Sequence, residues 1–144
     1  MPTITIQEIA AARQRQAGVV LRTPLIYSHT LSRASGREVF LKLENLQTTG
    51  SFKLRGAINR LTLLKARGEG VRVVAASAGN HGQGVAFAAA QLGLPAAIVM
   101  PQGASISKQL ATQGYGAEVI LYGRDLGEAL VRAQALVAQG YTFI

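Results

Sequence analysis

A short polar segment places a lysine where it could act as a nucleophile. Residues 49–56 read Thr-Gly-Ser-Phe-Lys-Leu-Arg-Gly, a turn that runs into the start of a predicted helix. The macrodipole of a helix is positive at its N-terminus and disfavours a protonated amine there, and partial burial beside Phe52 would have the same effect. Lys53 is therefore a candidate for the neutral amine that Schiff-base chemistry requires. The local chemistry alone favours an ordinary solvated lysine at this position.

A second polar segment covers residues 77–84 and reads Ser-Ala-Gly-Asn-His-Gly-Gln-Gly. It follows a predicted strand and opens a predicted helix, and open parallel sheets bind ligands at the carboxyl ends of their strands. Free N–H groups at a helix N-terminus favour an anion, and Gly79, Gly82 and Gly84 would let the backbone approach it closely. The position predicts a site for a carboxylate or phosphate rather than a plain tight turn. A nucleotide site is the rival hypothesis, but the glycine spacing matches neither the dinucleotide fingerprint nor the P-loop.

His81 lies inside this second segment and is a candidate for a catalytic base or a metal ligand. A zinc site would need further nitrogen or sulfur ligands. The chain has no cysteine, and its only other histidine is His29. The sequence therefore predicts that His81 shapes the loop, and it predicts no metal site.

Strands and helices alternate along the second half of the chain. The predicted strands are 71–76, 96–100, 118–121 and 141–144, and the helices between them are 85–92, 105–113 and 125–139. A strand–helix–strand order requires parallel pairing with right-handed crossovers, and short apolar strands fit a sheet that is covered on both faces. The pattern predicts an α/β fold in three layers, an open parallel sheet with helices on both faces.

The first half of the chain is less regular. It contains a polar turn at 44–51, and Thr3 or Thr5 could cap its first helix. The predicted helices of this half are 5–16, 29–34 (ending at Gly36) and 54–67, and its predicted strands are 25–27 and 39–43.

Length and composition exclude several classes of protein. A chain of 144 residues suits one domain, and 49% hydrophobic with 15% charged residues argues against disorder. No apolar stretch approaches the roughly 20 residues that span a bilayer. Residues 1–15 lack the order of a signal peptide. We expect a soluble cytoplasmic protein with no membrane partner.

The net charge of +8 raises the question of nucleic acid binding. The basic residues are scattered along the chain, and aromatic residues do not alternate with them as stacking platforms for bases. We therefore predict no nucleic acid partner. The charge is interpreted as a solvated basic surface, or as one half of a larger protein whose other half is more acidic.

Together the two polar segments resemble the fold-type II pyridoxal-phosphate (PLP) enzymes, especially the threonine dehydratase and serine racemase family. Order and spacing agree with that family over nearly the whole chain. The matching stretches are 22–25 (Arg-Thr-Pro-Leu), 41–47 (Leu-Lys-Leu-Glu-Asn-Leu-Gln), 49–57, 77–86, 99–101 and 116–119.

The resemblance implies a role for each candidate site residue. Lys53 would bind PLP covalently, Phe52 would pack beside the pyridine ring, and Asn80 would hydrogen-bond the phenolic oxygen of the cofactor. The substrate carboxylate would be held, largely by backbone N–H groups, at Ser77, Gly79, Asn80 and His81.

The implied reaction is dehydration and deamination of threonine or serine to a 2-oxo acid and ammonia. PLP is the electron sink, and the amine of Lys53 is the natural base for the α-proton. Racemases of this family carry a second serine where this chain has Ala78. Because alanine cannot protonate the opposite face of the substrate, dehydration is favoured over serine racemase-like activity. The resemblance also suggests a place in isoleucine biosynthesis.

Full enzymes of this family are at least twice as long as this chain. The resemblance implies that residues 1–49 are an N-terminal arm of the large domain and that 50–144 form the small domain, with the rest of the large domain absent. We therefore expect one half of a dehydratase, completed by its missing C-terminal half or found as a homo-oligomer. The alternative is a catalytically silent fragment that acts only as a binding or self-associating module.

Overall fold

The computed structural model describes residues 3–144. Every predicted helix and strand is present, and most ends agree within two residues. The elements in chain order are α1 (Ile6–Arg15), β1 (Leu25–Tyr27), α2 (His29–Ser35), β2 (Phe40–Lys42), a 3-10 turn (Glu44–Leu46), α3 (Lys53–Ala66), β3 (Val73–Ala76), α4 (Asn80–Leu92), β4 (Ala96–Met100), α5 (Ile106–Gly114), β5 (Glu118–Leu121), α6 (Leu126–Val137) and β6 (Thr142–Phe143).

Side chains at the helix ends explain where several helices begin. Thr5 and Glu8 form a capping box at the start of α1, in which each side chain accepts a backbone N–H of the other. Asp125 caps α6 by accepting the N–H of Glu128 at 2.9 Å. Ser105 lies at the predicted cap position of α5 but forms no capping bond, because its hydroxyl pairs with that of Ser107 at 2.7 Å instead.

The four strands of the second half form one parallel sheet in the order β5-β4-β3-β6. The side chains of β4 alternate between its faces. Ala96, Ile98 and Met100 belong to a buried cluster with α3 and α4, whereas Ala97 and Val99 belong to a second cluster with α6. Helices thus cover both faces of the sheet, as predicted.

Helix α3 presents one apolar face to the core. Leu54, Ile58, Leu61 and Leu64 recur at helical spacing and are all buried. This face packs on α4, which turns small residues toward it and toward the sheet, so that the helices approach closely.

The helices described in residues 3–144 are short, and α3, with 14 residues, is the longest of them. None of them is long and apolar enough to cross a membrane.

The first half of the chain forms a separate two-stranded sheet in which β1 and β2 pair antiparallel. Several hydrogen bonds join this half to α3, and two of them come from the end of α1. Arg15 donates to the side chain of Asn59 at 2.6 Å, and Gln16 donates to the carbonyl of Arg55 at 3.1 Å. These contacts hold α1 beside the N-terminal turns of α3, where the first candidate segment lies.

Candidate active site

Helix α4 begins at Asn80, five residues before its predicted start, so most of the predicted glycine-rich turn is the first turn of a helix. Tertiary packing explains the difference. A Cβ on Gly82 would lie 2.8 Å from Cγ2 of the buried Ile98, and one on Gly84 would lie 3.2 Å from the backbone of Lys53. These glycines permit helix–sheet and helix–helix contact rather than a change of chain direction.

The crossing of α3 and α4 brings the two candidate segments together. Lys53 is the first residue of α3, and its carbonyl carbon faces Gly84 on the second turn of α4. The backbone N–H of Lys53 donates to the hydroxyl of Ser51 at 3.4 Å, which helps to turn the chain into the helix. The relative position of the two segments therefore depends on the absence of a side chain at Gly84.

A cavity of about 370 Å³ lies beside Lys53. Three predicted site residues line it, namely Phe52, Lys53 and His81, and they are joined there by Gly56, Ala57, Arg60 and Ile144. The ammonium nitrogen of Lys53 lies 4.9 Å from the centroid of the Phe52 ring. An amine and an aromatic ring therefore share one wall of this cavity.

The predicted partial burial of Lys53 is wrong. Lys53 is exposed, and the Phe52 ring beside it is 59% exposed. Both side chains project from the start of α3 beyond the apolar core, which begins with the buried Leu54. Any shielding of the Lys53 amine must come from a bound molecule or a further protein surface.

His81 contacts the chain at β6. Its Nε2 lies 3.2 Å from the carbonyl oxygen of Ile144, which can accept a hydrogen bond from the ring. Because Ile144 also lines the Lys53 cavity, this contact joins two residues of the cavity lining, one on the first turn of α4 and one after β6.

The remaining predicted residues lie on the loop between β3 and α4, at the carboxyl end of β3. Ser77 uses its hydroxyl to accept the N–H of Gly79 at 3.2 Å, which shapes the loop. Gly79 is the N-cap of α4 and has no side chain to bond the first N–H groups of the helix. Asn80 is exposed at the start of the helix. Ser77, Gly79 and Asn80 do not line the Lys53 cavity themselves, but they precede His81, which does.

One lysine near the loop was not predicted. The ammonium nitrogen of Lys108 lies 3.5 Å from the position that a Cβ on Gly79 would occupy. Lys108 follows β4, the strand that neighbours β3 in the sheet. Residues that follow neighbouring parallel strands meet at one edge, and this rule could have identified Lys108 from the sequence.

An ion pair fixes the first turn of α3 to the first half of the chain. Arg55 binds both carboxylate oxygens of Glu44, from Nε at 2.9 Å and from a terminal nitrogen at 2.8 Å, and Thr23 donates its hydroxyl to the same carboxylate. The hydrogen bonds from Arg55 lower the pKa of Glu44 to about 2. Since Arg55 is two residues from Lys53, this pair also positions the candidate lysine.

We expect Glu44→Gln to destabilise the fold by about 2 kcal/mol at pH 7, a value reduced for the partial exposure of the pair. A carboxylate with a lowered pKa stabilises the fold above its ordinary value of 4.5, and the contribution is lost as the pH falls toward about 2. The difference between wild type and Glu44→Gln should therefore shrink by more than half between pH 7 and pH 3. Urea denaturation at both values measures it.

Glu69→Gln is the matched control, because Glu69 is exposed in the turn after α3. It should change the free energy of unfolding by less than about 0.5 kcal/mol at either pH. A difference between wild type and Glu44→Gln that stays constant from pH 7 to pH 3 would contradict a role for the charged carboxylate.

Known proteins with similar sequences belong to the enzyme family that the two polar segments resemble. The profile of the family described as "Pyridoxal-phosphate dependent enzyme" matches residues 17–144. The chain is 52% identical over 126 residues to L-threonine ammonia-lyase of Thermotoga maritima, covering 88% of this chain and 31% of that protein. It is 43% identical over 142 residues to the catabolic L-threonine dehydratase TdcB of Escherichia coli K12, covering 98% of this chain and 43% of that protein.

A solved structure shows the same fold. Maize serine racemase superposes with a TM-score of 0.89 at 33% identity, over 99% of this chain and 44% of that one. The chain spans less than half the length of these relatives. The resemblance inferred from the two polar segments is confirmed, and the chain belongs to the family of pyridoxal-phosphate dependent enzymes.

Proposed function

We propose that this chain carries the cofactor lysine and the substrate-carboxylate loop of a threonine or serine ammonia-lyase. The observation that supports this most strongly is the crossing of α3 and α4, which sets Lys53 on the wall of a cavity beside the start of α4. The named activities of the Thermotoga and Escherichia relatives support threonine as a substrate.

The residues present fit PLP, the cofactor of the family. Lys53 supplies a primary amine on the cavity wall, and the Phe52 ring offers an apolar face for a pyridine ring. The first turn of α4, whose N–H groups Gly79 cannot cap, is left for the substrate carboxylate. We assign Asn80, the first residue of that turn, to the phenolic oxygen of the cofactor.

When bound, PLP supplies an electron sink for the pair of electrons left on the α-carbon of the substrate. The loop at Ser77, Gly79, Asn80 and His81 holds the substrate carboxylate and orients the α-proton. Because the N–H of Ser77 donates to the carbonyl of Val99 at 3.0 Å and that of Gly79 donates to the Ser77 hydroxyl, the donors are the N–H groups of Asn80 and His81 and the hydroxyl of Ser77. Lys53 Nζ, as a free amine, takes that proton. Ala78 offers no proton to the opposite face, so loss of the β-hydroxyl as water prevails over racemisation.

The physiological setting that we propose is threonine degradation. The isoleucine-biosynthesis setting implied by the sequence resemblance has no support in the comparisons, and the Escherichia relative is named catabolic.

We also propose that the chain is divided into an arm, residues 1–49, and a small domain, residues 50–144. The separate two-stranded sheet of the first half supports it.

A silent fragment is the second candidate function, and one observation favours it. The site is open, with Lys53 exposed and Phe52 mostly exposed, although catalysis of this kind benefits from exclusion of water.

A different observation supports completion of this chain by a missing half or by a second copy. The arm leaves apolar side chains exposed. These side chains include Ile4, Ile6, Leu25 and Phe40.

The proposal is tested with the purified chain, PLP and each of L-threonine and L-serine. We expect a visible absorption band that survives desalting, and formation of a 2-oxo acid well above that of a Lys53→Ala control. A retained band without turnover would support a lobe that needs its missing half. If no band is retained and no oxo acid forms, the silent fragment is the correct description of this chain.

A further inference from the structure

A second cavity, of about 330 Å³, lies between α1 and the segment that leads into β1. We call it the arm cavity and define it by its four cationic lining residues, Arg13, Arg22, Lys42 and Arg55. No Asp or Glu is among the residues that line it, and it shares no lining residue with the Lys53 cavity. Glu44, the partner of Arg55, offsets only one of these four charges.

Two of the cations are held in place. Lys42 donates one N–H to the carbonyl of Thr23 at 2.5 Å, and an ammonium group has two more to offer. Arg55 uses Nε and one terminal nitrogen for Glu44 and for the carbonyl of Leu21, which leaves its other terminal nitrogen available. The wall therefore presents hydrogen-bond donors in fixed positions.

Buried polar residues lie behind Lys42 and Arg55 and keep this wall of the arm cavity rigid. Gln47 is only 4% exposed and bonds both the N–H and the carbonyl of Leu21, at 2.9 and 3.0 Å. Thr23 is also 4% exposed and bonds Glu44. A preorganised wall lowers the entropic cost of binding a ligand.

The other two cations are at the rim. Arg13 and Arg22 are exposed, and within residues 3–144 their side chains form no hydrogen bond or ion pair that would restrain them. Each can therefore turn toward a ligand on the wall at little cost in lost contacts.

We propose that the arm cavity binds a small phosphate-bearing anion, which makes it a ligand site separate from the cofactor lysine. A carboxylate brings one charge and two oxygens, which would leave most of these donors unused. A phosphate or diphosphate group has several oxygens and about two or more negative charges, and it matches cations that approach from different sides. Arg55 lies two residues from Lys53 in the first turn of α3, so a ligand here would also stiffen the start of the helix that carries that lysine.

Inorganic pyrophosphate is the probe for this site. Calorimetric titration of the chain, without PLP and at fixed ionic strength, should show one molecule bound. Arg13→Gln/Arg22→Gln should weaken binding at least about tenfold, or about 1.4 kcal/mol. The control Arg37→Gln/Arg67→Gln removes the same charge outside the cavity and should change affinity less than about twofold. Urea denaturation checks that both variants remain folded.

Equal weakening in the two double variants would overturn the proposal, because it would show general attraction to a chain of net charge +8. Binding of several pyrophosphates, or no binding at millimolar concentration, would overturn it as well. Lys53→Ala should bind pyrophosphate as wild type does. The arm cavity can thus fail its test while the proposed function stands, and the reverse also holds.

Discussion

After incubation with PLP and reduction with borohydride, we expect the stable cofactor adduct on Lys53 and on none of the other three lysines at a comparable level. Peptide mass mapping should find Lys53 modified at least about tenfold more than Lys42, Lys65 or Lys108, which corresponds to about 1.4 kcal/mol of preference. This result would show that the cofactor of the family binds to Nζ of Lys53.

The environments of these lysines are the reason, and Lys108 lies outside the Lys53 cavity. The ammonium nitrogens of Lys42 and Lys65 each donate to a backbone carbonyl, of Thr23 and Leu92 respectively, at 2.5 Å. In the described chain Lys53 is the lysine that lies over an aromatic ring, and it faces a cavity of about 370 Å³. The cavity wall can hold a pyridine ring while the amine reacts, which raises the effective concentration of the aldehyde.

Two conservative substitutions make this experiment specific. Lys53→Arg keeps the positive charge at the start of α3 but cannot form the adduct, so the retained visible band should disappear. Lys65→Arg should retain the band of wild type. Similar labelling of all four lysines would mean that the chain alone has no formed cofactor site, and the role proposed for Lys53 would then depend on the part of its relatives that this chain does not span.

Gly82→Ala is expected to lower the free energy of unfolding by about 2–3 kcal/mol, although alanine normally favours a helix over glycine by about 1 kcal/mol. The new Cβ would lie 2.8 Å from Cγ2 of Ile98 and 3.1 Å from the carbonyl oxygen of Ser77. Ile98 is fully buried in β4, one of the two inner strands of the sheet, so its side chain cannot move aside. The first turn of α4 must shift instead, together with the proposed carboxylate loop.

Gly114→Ala is the matched helical control, since nothing lies within 4 Å of its added Cβ. That variant should be as stable as wild type or up to about 1 kcal/mol more stable. Urea denaturation of all three proteins measures both effects. If Gly82→Ala matched Gly114→Ala, the close contact of α4 with the sheet would not be the reason for glycine at position 82.

The positions of the strands were predictable because they depend on local pattern. β4 and β5 occupy the predicted residues 96–100 and 118–121. Each is a short run of mostly apolar residues between glycine-containing turns, and such a run is too short for a typical helix and is typical of a strand. The capped helices α1 and α6 were predictable for a similar reason, since Thr5 and Asp125 bond N–H groups within their own first turns.

The start of α4 was not predictable from the pattern. The spacing of Gly79, Gly82 and Gly84 is typical of a loop, because glycine costs helical stability. In the structure two of these three glycines are helical, and the side chain and backbone that make them necessary belong to Ile98 and Lys53. Those atoms are distant in sequence, so only the folded chain supplies the reason.

For the candidate site, too, some features could be predicted from the sequence and others depended on the folded structure. The sequence by itself determined the chemical groups, an amine at Lys53 and a polar loop from Ser77 to His81, and the order that identifies the family. Only the tertiary structure decided which of them share a cavity, that Lys53 is exposed rather than partly buried, and that Lys108 lies near Gly79. The physical reason is that residue types and their spacing can be read directly from the sequence. The distances between side chains and the burial of each one depend on packing between segments that are far apart in the sequence.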